Sequence, residues 1–209
     1  MEKNNRISAA IIGLGRWGRN LVDSTLSDSK NKLYFTHAMT RTPSKVIDYC
    51  DRNKLILIDS FDDILREKSI QAVVLATPHS QHSDQVIAAA KAGKHVFVEK
   101  PFTLSLEDGL AAAKACRTAK VNLAIGFNRR FLPAYNELKA LLNDGRLGTP
   151  LHIEGNFSGS FGNNYTKDMW RGSITENPAG GMGAMGIHIL DLMIELLGKV
   201  KTVTTNSSR

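Results

Sequence analysis

The 209-residue chain is 42% hydrophobic and 22% charged, the balance of an ordinary globular protein. Its net charge of +7 is spread along the whole length, with no basic run alternating with aromatics; this argues against a nucleic-acid partner and leaves room for an anionic ligand. No run reaches the ~18 apolar residues of a membrane span, and MEKNNRISAAIIG lacks the apolar core of an export signal, so a cytoplasmic, membrane-free protein is expected.

Strand-like runs alternate with helical patterns up to residue 127. The predicted strands are SAAII (Ser8–Ile12), LYFTHAM (Leu33–Met39), LILID (Leu55–Asp59), AVVLAT (Ala72–Thr77), HVFV (His95–Val98) and NLAIGF (Asn122–Phe127). Ser80–Ala92 reads as a helix stopped by Gly93, and Ser105 with Asp108 as the cap and first-turn acid of a helix through Ala119. Cys50 and Cys116 fall in predicted helices without metal spacing, as buried reduced thiols would, and no metal site is expected. Short Val/Ile/Leu-rich runs separated by helices predict an α/β fold of Rossmann type, a doubly wound parallel sheet, over residues 1–127.

The pattern then changes, and residues 128–209 read as the start of an incomplete C-terminal α/β domain. Pro133–Asn143 is a predicted helix ending at Asp144-Gly145. HIEGNFSGSF after Pro150 alternates like an extended segment, and the Gly/Ser/Asn-rich stretch 158–183 predicts a loop. Ile187–Leu197 predicts a helix with an apolar stripe of Ile187, Leu190, Ile194 and Leu197, stopped by Gly198, and VKTVTT starts another strand. A lone pair of strands is marginal, so the sequence is expected to be a fragment, or to need another chain to complete its sheet. The uncovered apolar stripe adds the expectation of self-association, with a homo-oligomer in the full-length form.

The motifs lie on this frame. GLGRWG follows the first strand and opens a helix. Gly13 permits the tight turn, Gly15 lets backbone approach a pyrophosphate, and Gly18 allows close helix–sheet packing, with Arg16 and Trp17 between them. The helix N-terminus then offers free amides to phosphates. At the end of strand two, where an acid would take the ribose of NAD, the chain has Thr40, Arg41 and Thr42 with Lys45 behind them. The absence of a carboxylate there favours NADP over NAD. ATPHSQH after strand four places Thr77, Pro78, His79 and His82 at the carboxyl edge as candidate cofactor contacts, the histidines equally readable as structural. VFVEKP places Glu99 and Lys100 at the same edge after strand five. A lysine there is either a solvated strand end or a group that polarises an oxygen and moves a proton, and Pro101 allows a cis bond. In GGMGAMGIHILDLM, His188, Asp191 and Glu195 share one helical stripe, with His188 near the helix start as a candidate proton donor or a satisfied structural histidine.

Together GLGRWG, ATPHSQH, VFVEKP, GFNRRF (Gly126–Phe131) and GIHILD resemble the Gfo/Idh/MocA oxidoreductase family, in order and spacing over nearly the whole chain. The resemblance implies a Rossmann domain joined to a C-terminal α/β domain on a large open sheet. It further implies NAD- or NADP-dependent hydride transfer on a hydroxyl or carbonyl carbon of a sugar, cyclitol or related small molecule. It makes Lys100 the catalytic lysine and His188 the histidine that acts with it on the substrate oxygen. Asn128, Arg129, Trp170, Arg171 and Asp191 are then candidate substrate contacts. Two departures stand out: Ala184 occupies a position where many relatives carry an aspartate, leaving Asp191 to orient His188, and the chain is shorter than most members. The alternative is a non-catalytic dinucleotide-binding regulator of the same fold.

Overall fold

The computed structural model describes residues 6–26, 31–166 and 169–206, without the side chain of Phe161. The chain divides into two compact units, Met1–Gly126 and Phe127–Arg209.

In the first unit, β1 (Ile7–Ile12), β2 (Leu33–Met39), β3 (Ile56–Leu57), β4 (Ala72–Leu75), β5 (His95–Val98) and β6 (Leu123–Ile125) form one six-stranded sheet, in the order β3-β2-β1-β4-β5-β6. All its pairings are parallel. The central strands β1 and β4 are apolar at every position but Ser8 because both faces are covered. Along β1, Ala9 and Ile11 join Val22, Tyr49 and Cys50 on one face, under α1 (Arg16–Leu26) and α2 (Ile47–Asn53). Ala10 and Ile12 join Ile64, Val86, Ala89, Ala112 and Cys116 on the other, under α3 (Phe61–Arg66), α4 (His82–Lys91) and α5 (Leu106–Ala119). Each fully buried Val, Leu or Ile contributes about 1.5–3 kcal/mol. The chain order reverses direction between β1 and β4, the switch point at which such sheets take ligands.

The six strands predicted up to residue 127 are all present, three of them shorter than expected. LILID keeps two strand residues, because Lys54 adopts a left-handed φ of 56° to end α2 and the Leu55 amide bonds to Cys50 O. Ser105 caps α5 as expected: its Oγ accepts from the Asp108 amide at 3.1 Å, and its hydroxyl meets Asp108 Oδ2 at 2.8 Å.

The second unit holds α6 (Pro133–Asn143), with proline in its first turn, and α7 (Ile187–Leu197), ended by Gly198 at φ 86°. Two expectations are corrected here. Neither HIEGNFSGSF nor VKTVTT forms a strand, since a strand exists only with a ladder partner and none pairs among this unit's described residues. Gly155 instead lies against Ile189 and Met193 of α7, where a Cβ would collide with both side chains. The predicted glycine loop contains 3-10 turns at Ser160–Asn164 and Trp170–Gly172, residues 167 and 168 lying outside the described residues. Its last part is a π-helical turn, Met182–Gly186, that runs unbroken into α7. A Cβ at Gly186 would meet the Met182 sulfur, so that side chain would have to move aside.

Candidate functional site

Strand register builds the site's edge. Ile12 pairs with both Met39 and Leu75, Leu75 with Val98, and Val98 with Ile125. The following residues, Gly13, Thr40, Ala76, Glu99 and Gly126, therefore form one row at the carboxyl edge. Backbone bonds fix that row: Gly13 N donates to Met39 O, Ala76 N to Ile12 O and Gly126 N to Val98 O, each at 2.8 Å, and Glu99 N to Leu75 O at 2.9 Å.

The glycine turn separates three demands. Gly13 has φ 93°, and a Cβ there would lie 2.5 Å from Ala76 O, so both conformation and space require glycine. Gly18 is buried, and its Cβ would strike the Gly13 carbonyl, so it packs against the turn itself more closely than against the sheet. Gly15 is exposed, and no atom lies within 4 Å of the position a Cβ would take, leaving an open approach in front of the first amides of α1. That opening at a helix N-terminus fits a dinucleotide pyrophosphate. Arg16 is exposed and Trp17 is 36% exposed beside it.

Thr40 is half-buried at the end of β2, and Arg41 and Lys45 are exposed beyond it. Arg19, which no sequence motif singles out, supports this corner. Its Nη2 donates to Lys45 O at 3.1 Å, and its guanidinium lies 5.1 Å over the Tyr49 ring. Tyr49 in turn donates to Asp23 Oδ1 at 2.6 Å; burial, then that bond, pushes its phenol pKa up. A groove of about 710 Å³ runs between α1 and α2, and only its Gly15–Arg16 end lies at the sheet edge.

Lys100 follows β5 on the same edge, half-buried, and its bond to Pro101 is cis. The Lys100 amide donates to the Glu99 carboxylate at 3.3 Å. Glu99 is 9% exposed, and its carboxylate occupies the space a Cβ on Gly126 would need, 2.7 Å from Oε1. Thr77, Pro78 and His79 are half-buried past β4, with Thr77 Oγ1 donating to Gln85 Oε1 at 2.6 Å.

Of the two readings of His82, ligand contact or structural histidine, its surroundings favour the second. The residue is 0% exposed, with Nδ1 2.9 Å from Pro101 O and Nε2 3.1 Å from Thr77 O. Both nitrogens face backbone oxygens inside the protein, the arrangement of the structural alternative.

In the second unit His188 is 7% exposed, with the Phe127 and Phe157 rings 6.3 and 6.2 Å away. The guanidinium of Arg129 lies 5.1 Å over Phe157, and that of Arg171 lies 4.2 Å over its neighbour Trp170. Asn128 is exposed in the 3-10 turn Asn128–Phe131. Asp191, expected as a substrate contact and as the group orienting His188, has both oxygens taken by Arg130, Nε at 2.7 Å and Nη2 at 2.5 Å. Glu195 accepts from the Tyr135 hydroxyl and from Lys139 Nζ, each at 2.7 Å. Lys139 first, then Tyr135, hold the Glu195 carboxyl below the usual range, while Asp191 pushes the Arg130 pKa up. The sequence signal for this network is the matched i, i+4 spacing of Tyr135 and Lys139 against Asp191 and Glu195.

Comparison with known proteins agrees with this architecture. Residues 7–127 match the oxidoreductase family GFO_IDH_MocA, described as an NAD-binding Rossmann fold, and residues 135–209 match the GFO/IDH/MocA C-terminal domain. The chain is 43% identical over 93 residues to scyllo-inositol 2-dehydrogenase (NAD(+)) of Bacillus subtilis, a match that covers 44% of this chain and 27% of that protein. It is 34% identical over 157 residues to inositol 2-dehydrogenase of Rhodococcus erythropolis, covering 73% and 44%. A crystal structure described as a putative NADPH-dependent oxidoreductase from Desulfitobacterium hafniense superposes with a TM-score of 0.85 at 27% identity, covering 93% of this chain and 56% of that one. The chain thus spans less than two thirds of each of these proteins.

Proposed function

The chain belongs to the Gfo/Idh/MocA oxidoreductase family, NAD(P)-dependent dehydrogenases acting on CH–OH groups of sugars and inositols, and from that premise we propose that it carries the cofactor-binding part of such an enzyme. The reaction is hydride transfer at a hydroxyl or carbonyl carbon of a sugar, cyclitol or related small molecule. The observation that carries the reading is the open face of Gly15 on the same sheet edge as Lys100.

Gly13, Gly15, Arg16, Trp17 and Gly18 would hold the pyrophosphate, Thr40, Arg41 and Lys45 the adenosine ribose, and Thr77, Pro78, His79 and Glu99 the nicotinamide side. When bound, the nicotinamide supplies or accepts the hydride. Lys100 presents an ammonium from a turn fixed by the Glu99 bond, suited to give a proton to the substrate oxygen or take one from it. His188 is assigned to the same proton, and Asn128, Arg129, Trp170 and Arg171 to substrate contact. NADP preference rests on Arg41 and Lys45 standing exposed where a ribose-binding carboxylate would exclude a 2′-phosphate.

One observation favours the regulator reading: Ala184 puts no carboxylate in the π turn before His188. A turnover screen with NADPH and a panel of ketoses, inososes and diones separates the two. Oxidation of NADPH by at least one substrate, lost in Lys100→Ala, supports the enzyme. Saturable NADPH binding without turnover of any substrate, also in a chain extended to its relatives' length, contradicts it.

A further inference from the structure

His82 is a fully buried, titratable side chain whose two ring nitrogens both face backbone oxygens. Both atoms it faces, Pro101 O at 2.9 Å and Thr77 O at 3.1 Å, are carbonyl oxygens and therefore acceptors only. A neutral ring donates to one of them and a protonated ring to both.

The place of these contacts matters more than their number. The ladder between β4 and β5 reaches Glu99 N and Leu75 O. His82, the first residue of α4, continues the connection two residues further on each side, to Thr77 and Pro101. Lys100 sits between Glu99, held by the ladder, and Pro101, held by the imidazole. We propose that His82 is a positioning residue: it fixes the turn after β5 against the turn after β4 and so sets where the Lys100 ammonium stands. This rests on the reading that Lys100 is the reacting lysine.

The test reads Lys100 directly, on the 209-residue chain without cofactor or substrate. Lysines are acylated with limiting acetic anhydride, and site-by-site rates are followed by peptide mass spectrometry. Lys94 serves as an internal fold reporter, since it is buried and its Nζ donates to Glu67 O and Ile70 O, each at 2.7 Å. Removing one or two buried hydrogen bonds should raise the Lys100 rate about fivefold in His82→Ala. His82→Gln, which keeps an amide donor, should fall between that and wild type, with Lys94 unchanged in both. Wild-type Lys100 rates in both variants, with Lys94 still protected, would overturn the proposal. So would equal gains at Lys94 and Lys100 in both variants, because His82 would then hold the fold and not the turn. The assay needs neither dinucleotide nor turnover, so its failure is separate from failure of the dehydrogenase reading.

Discussion

Gly13→Ala and Gly15→Ala, two residues apart in one turn, should fail in different ways. At Gly13 an alanine must hold φ 93° and place a Cβ 2.5 Å from Ala76 O and 2.8 Å from Ala76 C. The strained backbone costs ~1–3 kcal/mol and the overpacking a similar ~1–3 kcal/mol. The stiffer unfolded chain offsets roughly 0.4–1 kcal/mol of that. The net loss is about 2–4 kcal/mol, because the clash pushes apart the ends of β1 and β4 that the Ala76 N–Ile12 O bond joins. At Gly15 the φ is ordinary and no atom lies within 4 Å, so stability should change by less than about 0.5 kcal/mol. A methyl there occupies the approach assigned to the pyrophosphate, and NADPH affinity should drop about tenfold or more. Urea denaturation followed by circular dichroism gives the first quantity, and NADPH fluorescence titration the second. Wild-type affinity in a folded Gly15→Ala chain would refute the assignment of this turn to the phosphates.

Arg41→Ala should weaken NADPH binding by about tenfold and leave NADH binding unchanged; equal effects on both would remove the basis for NADP preference. Arg130→Ala should destabilise the second unit by about 1–2 kcal/mol, discounted for the arginine's partial exposure, because the nearly buried Asp191 carboxyl loses the guanidinium that both its oxygens meet. Urea midpoints of variant and wild type measure it. Glu195, held below its ordinary pKa of 4.5 by Lys139 and Tyr135, contributes stability that is present above pH 4.5 and lost as pH falls through the depressed folded value. The urea midpoint should therefore fall more steeply below pH 4.5 in wild type than in Glu195→Gln.

Features set by local sequence are legible without the structure. The parallel sheet follows from continuous apolar runs such as AVVL, buried on both faces; the α5 cap follows from the Ser105–Asp108 spacing, and the glycine turn from its place after β1. Features set by tertiary partners are not. HIEGNFSGSF has the alternation of a strand, but pairing decides whether a strand exists, and Gly155 packs on α7 instead. The glycines before α7 have weak helical propensity on their own, yet continuous winding into the helix makes them a π turn. His82 has the sequence position of an edge residue because it follows ATPHSQ. Only the fold brings Pro101, 19 residues on, close enough to turn the ring inward. The spacing of Asp191 from His188 suggests a pair, but the stronger neighbour, Arg130, lies 61 residues away in sequence.

The central claim is that the edge built by Gly13, Thr40, Ala76 and Glu99 binds a nicotinamide dinucleotide. Titration of the chain with NADPH and with NADH, read by energy transfer from tryptophan to the reduced nicotinamide, tests it most directly. The account predicts saturable binding of both, NADPH the tighter, with the NADPH signal weakened in Gly15→Ala. No saturable signal from either dinucleotide with a folded chain would contradict it.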